Sequence, residues 1–196
     1  MTPLHRALMA VAALCLVGLF FLPMWEITLE APQYPEGNEL GILISIDKVE
    51  GAHENDLQNL NGLNHYIGMK KIEPDSIPEL QWMKYIVGVL IGLGLLVAGI
   101  GKRSLILVWL GLLTAAGALG LYDFYMWEYD YGHDLDPHAA IKIPGMAYQP
   151  PLIGVQQLLN FKAHSWPASG FYMILVGAAL AALTWWISRP KTKANA

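Results

Sequence analysis

Leu105-Ile106-Leu107-Val108-Trp109-Leu110-Gly111-Leu112-Leu113-Thr114-Ala115-Ala116-Gly117-Ala118-Leu119-Gly120-Leu121-Tyr122 is a stretch without a single charge. A helix needs about 17–25 mainly apolar residues to cross a bilayer, and only helices or closed barrels satisfy their backbone polar groups there. The stretch is too long and too unalternating for a barrel strand. Three others, Ala7–Leu22, Tyr85–Gly101 and Gly170–Ile187, repeat its alanine-, leucine- and glycine-rich composition. The 196 residues therefore read as an all-α integral membrane protein, one domain with transmembrane helices near 7–24, 84–101, 104–124 and 170–188. Two long loops, 25–83 and 125–169, are expected to form a small irregular cap.

Charge gives the expected orientation. All sixteen Asp and Glu residues fall within Trp25–Tyr85 and Asp123–Gly170, together with Lys48, Lys70, Lys71, Lys84, Lys142 and Lys162. The opposite ends of the helices carry Arg6, Lys102, Arg103, Arg189, Lys191 and Lys193 and no acid. The positive-inside rule puts those bases and both termini in the cytoplasm of a bacterial inner membrane, and the loops outside. So acidic an outer surface suits a cation or a basic partner protein, although acids are also simply tolerated there.

Ala7–Leu22 has a basic start but no small-x-small cleavage site, and Leu14 before Cys15 argues against lipoprotein processing, so a retained anchor is expected. Cys15, the only cysteine, reads as a small core residue. Trp25, Trp82, Trp127 and Trp166 fall at the outer helix ends as an aromatic belt. The small-xxx-small pairs Gly88/Gly92, Gly94/Ala98 and Gly111/Ala115, with Gly117 and Gly120 beyond them, predict close packing of the second and third helices.

No acid, base or histidine lies inside the four uncharged runs, which excludes a charged relay across the bilayer and a haem held by transmembrane histidines. No phosphate loop or nucleotide fingerprint occurs, and nothing points to nucleic acid. Activity is expected in the loops. Leu40–Ile46 reads as strand-like, and a helix is expected from Asn55 or Asp56 to Gly68. Ser76–Glu79 reads as a capping box with Pro78 inside it, and Gln156–Phe161 as a short helix on the membrane surface.

Five of six histidines lie in the loops, and Met24, Met83, Met126 and Met173 mark the membrane boundary, one per helix. Imidazole and thioether without thiolate suit copper, above all Cu(I). His65 and Met69 stand four apart, so they share a helix side if the last turn holds; His133, His138 and Met146 of the other loop could complete the site. Against this stand a flexible-filler role for the methionines, and a hard-cation or turn-capping role for His133, Asp134, Asp136 and His138. No nucleophile-base spacing or paired-acid arrangement suggests an enzyme.

The blocks Leu63-Asn64-His65-Tyr66-Ile67-Gly68-Met69 and Pro144-Gly145-Met146-Ala147-Tyr148-Gln149-Pro150-Pro151-Leu152-Ile153-Gly154 resemble a little-described bacterial membrane family. It is associated with accessory proteins for nitrous-oxide reductase and related copper enzymes. The resemblance implies copper handling placed on His65, Met69 and Met146, as a chaperone-like maturation factor. The alternative is a structural or docking subunit of a respiratory membrane complex, which requires a protein partner.

Overall fold

The computed structural model describes residues 1–189, so Lys191 and Lys193 lie outside the described residues. In chain order it has helix α1 (Pro3–Cys15), tightening into a 3-10 segment at Leu16–Phe20, and strands β1 (Trp25–Glu30), β2 (Leu40–Ile44) and β3 (Val49–Gly51). Helices α2 (Asp56–Ile67), α3 (Pro78–Ile100) and α4 (Arg103–His133) follow, then β4 (Gly154–Leu158), β5 (Phe161–Pro167) and α5 (Ser169–Ile187). Four helices, α1 with its 3-10 extension, α3, α4 and α5, are long and apolar enough to cross a membrane.

These four form a bundle around Met9, Ala13, Leu90 and Trp109. Trp109 is 1 % exposed and donates its indole N–H to the Leu90 carbonyl at 2.8 Å. A Cβ on Gly94 would run into Ala13 and Trp109, and one on Gly177 into the Ala12 carbonyl. The expected seam of small residues between α3 and α4 is only partly there. Gly88, Gly92, Gly111, Gly117 and Gly120 have open space where a Cβ would stand. At the end of the bundle holding the N-terminus, bases cap the orphan carbonyls of helix C-termini. Arg6 donates to the Ala98 and Gly99 carbonyls, the Met1 amino group to Gly101, and Arg103 to Trp185.

The cap overturns the all-α expectation. It is built on a five-stranded antiparallel sheet in the order β3-β2-β1-β5-β4, so the fold is mixed α/β. Strand β1, from the first loop, pairs with β5, from the second, in the register Trp25↔Pro167 to Glu30↔Lys162. Both loops are thus one structure. The strand expected near Leu40 is β2. The surface helix expected at Gln156–Phe161 is instead the tip of the β4–β5 hairpin, whose turn is Leu159-Asn160 with Leu159 at φ 57°. In β5 the buried positions are the small residues Ala163 and Ser165, alternating with Lys162, His164 and Trp166. A strand with such inward residues gives no hydropathy alternation to read.

Trp25 ties the sheet to the bundle. Its indole donates to Ser165 Oγ at 2.8 Å, and its ring packs against Phe124 of α4 and Phe171 of α5. Trp25 is 4 % exposed and Trp127 packs against the same core, so both belong to the cap interior rather than to an aromatic belt; Trp82 and Trp166 stay exposed.

Helix α2 lies on β2 and β3. Neither Asn55 nor Asp56 caps it by side chain; the Asp56 carboxylate accepts from the Gly41 and His53 N–H groups instead, each at 3.0 Å. Gly68 ends the helix at φ 83°, where a Cβ would also strike Asp136 and Ala139. The expected capping box is not formed: Ser76 Oγ turns back to the Glu73 carbonyl, and α3 starts at Pro78.

Candidate functional site

At 31 residues, α4 is about 46 Å long, well beyond the ~30 Å of a hydrocarbon core. Its charge-free part ends at Tyr122, and the last turns rise into the cap. There Phe124, Trp127, Glu128 and Tyr131, three and four apart, share one face. That face, the sheet and α2 enclose a cavity of about 300 Å³. Its walls are mainly apolar, with Ile27, Ile42 and Ala163 from the sheet and Leu60, Leu63 and Ile67 from α2.

Glu128 lines this cavity and is 0 % exposed, and neither carboxyl oxygen has a hydrogen-bond partner among the described residues. Burial pushes its carboxyl up to about 8. Tyr148, 3 % exposed, lines the cavity too, and its hydroxyl is equally unpartnered. Trp127 Nε1 meets no acceptor in good geometry, although the Tyr131 phenol beside it is close enough to feel the indole N–H. Unpaired buried polar groups are costly, and in a native protein each calls for a reason such as a bound water, an ion or a functional role.

The segment carrying Tyr148 is held against α4 by a backbone bond from Tyr148 N to the Gly132 carbonyl, 2.9 Å. A Cβ at Gly132, one turn beyond Glu128, would run into the Gln149 backbone, so glycine is what allows the approach. Farther along, Asp136 N and Ile141 N donate to the Gly68 and Tyr66 carbonyls. Lys70 pairs with Asp130 and Asp134 at 2.7 and 2.8 Å, and these hydrogen bonds raise its pKa above the ordinary lysine range. The second loop is thereby strapped to α4 and to the end of α2, and its Ile141, Tyr148 and Pro150 line the cavity.

The residues expected to bind copper occupy different settings. Met69 lines the cavity, but His65 lines a separate polar groove with His53, Asn61 and Lys71. The helix ends at Ile67, so the four-residue spacing does not bring the pair onto one continued turn. His133 is exposed and stacks on Tyr129, centroids 3.9 Å apart. His138 is exposed beside Asp136, 3.3 Å from ring nitrogen to oxygen, and Met146 sits in the turn closed by its N–H to Ile143. Among the described residues no three His, Cys, Asp or Glu side chains stand together as metal ligands.

Glu128 and Tyr148 escaped sequence reading. The available signal was a lone acid spaced at three and four from Phe124 and Tyr131, an acid on an aromatic helix face. No family model matches the chain, and no curated protein does.

Proposed function

We propose that this chain is a membrane-anchored accessory protein that binds a small, mostly apolar ligand in its cap. The cap stands outside the cytoplasm of a bacterial cell, with both termini inside. The acid-free, base-rich helix ends support this orientation, and the bases there double as helix caps. The observation that carries the binding role is Glu128, fully buried and unpartnered at the wall of an apolar cavity. Among the described residues its oxygens have no partner, which leaves them to whatever occupies the cavity, solvent or ligand. An apolar recess with a few convergent polar groups is the usual form of a small-molecule site. Copper is not carried into this reading: of its five candidate residues only Met69 lines the cavity, His65 lines the separate groove, and His133, His138 and Met146 line neither.

The test uses the full chain in nanodiscs of net-neutral lipid, with empty nanodiscs as baseline. Binding of 4-fluorobenzyl alcohol is followed by fluorine NMR. Saturable binding above baseline, lost in Ala163→Leu, is expected. Binding equal to that of empty nanodiscs would rule the cavity out as a ligand site.

A further inference from the structure

We infer that the cavity selects a small organic ammonium ion, held between the Glu128 carboxylate and a set of aromatic rings. The inference rests on the binding role proposed above and names the ligand class. Tyr66, Trp127, Tyr131, Tyr148 and Phe161 line the same cavity as Glu128. Aromatic faces carry negative electrostatic potential, and a ring-walled recess with one carboxylate attracts a desolvated cation from every side. Asp, Lys, Arg and His are absent from the lining, so no built-in cation pairs with Glu128.

The position of the opening points the same way. Strand β1 leaves the bundle at Trp25, and β5 returns to it at Pro167. The β4–β5 turn therefore stands about 20 Å from the bundle, six strand residues away. The exposed lining residues are Gln33 beyond the end of β1, Asn160 in that turn, Tyr66 and Ile141. The mouth thus faces water at the far end of the cap, where a soluble ion rather than a bilayer lipid arrives. The two outer segments together carry ten more acids than bases, Glu128 included, which raises the local concentration of cations.

A cation must displace the proton that burial holds on Glu128 up to about pH 8. At pH 7 this lowers affinity only about tenfold. The remaining attraction, a carboxylate and several rings in a desolvated site, outweighs that.

The experiment compares 4-fluorobenzyltrimethylammonium with 4-fluorobenzyl alcohol on the full chain in net-neutral nanodiscs, by fluorine NMR. The ammonium ion is expected to bind at least about tenfold more tightly than the alcohol. Glu128→Gln is expected to remove that preference, the two probes then binding within about threefold of each other. Phe161→Leu, which removes one ring face, weakens the cation several-fold and serves as the second variant should E128Q fail to fold. Equal binding of the two probes to the unaltered chain, or an unchanged preference in E128Q, overturns the inference. If the alcohol still binds and Ala163→Leu abolishes it, the cavity remains a ligand site of another class. Saturable binding of neither probe overturns both readings.

Discussion

Trp25 and Ser165, 140 positions apart in sequence, are joined by a buried 2.8 Å hydrogen bond from indole nitrogen to hydroxyl oxygen. The same hydroxyl donates onward to the Leu152 carbonyl at 3.1 Å. One small side chain thus links β1, β5 and the strap that precedes β4.

Ser165→Ala leaves the indole N–H and the Leu152 carbonyl without partners in the cap interior. A loss of about 1–3 kcal/mol is expected, read as a lowered unfolding midpoint in detergent. Gln157→Ala, on an exposed strand position, serves as the control and is expected to change little. An S165A protein as stable as the control would mean that the bond contributes nothing.

Glu128 makes stability depend on pH. Its folded pKa of about 8 lies above the 4.5 of an ordinary glutamate, so the folded chain holds a proton that the unfolded chain has lost. This contribution is fully present below pH 4.5 and declines as pH rises toward 8, by about 1.4 kcal/mol per unit. Of the phenols lining the cavity, that of Tyr131 is raised by burial above the ordinary tyrosine value. Thermal unfolding from pH 5 to 8 should therefore show a falling midpoint that flattens in Glu128→Gln. The same slope in both proteins would place the titration elsewhere.

Gly132→Ala drives a methyl group into the Gln149 backbone and should push the Tyr148 segment off α4. The expected result is faster proteolysis within 134–153 with the bundle intact. Gly111→Ala, where a Cβ meets open space, is the matched control and should leave the digestion pattern unchanged.

Orientation is open to a direct measurement. With Cys15→Ser as background, Ala140→Cys in the cap should react with a membrane-impermeant maleimide on intact cells. Lys102→Cys, in the turn between α3 and α4, should react only after lysis. Labelling in the reverse order would put the cap in the cytoplasm and remove the extracytoplasmic role proposed for it.

The sequence made the bundle legible and hid the cap. Hydropathy marks each spanning helix because lipid demands apolar side chains all round it. The cap sheet obeys no such demand. Ala163 and Ser165 are its buried residues on β5, and neither stands out as apolar. The helix at Asp56 and the strand at Leu40 were readable because Leu60 and Ile42 repeat with the right periods. Pairing of β1 with β5 depends on contacts too distant for any local pattern to announce. Glu128 was hidden for a related reason: the cavity it lines is walled largely by the sheet, α2 and Tyr148, all distant from it in sequence.

The central pairing of the sheet also sets an order of events during synthesis. Glu30 and Lys162 are register partners 132 positions apart, and two of the four membrane helices, α3 and α4, are made between their strands. Until β5 has been translated, β1 holds one open edge, and open edges invite mispairing with other chains. The newborn protein must therefore pass through a stage in which most of its anchors are placed and its sheet is still split. A shielding factor at the translocation site would act on that stage, and truncated chains ending before residue 161 should be cleared by proteases rather than accumulate.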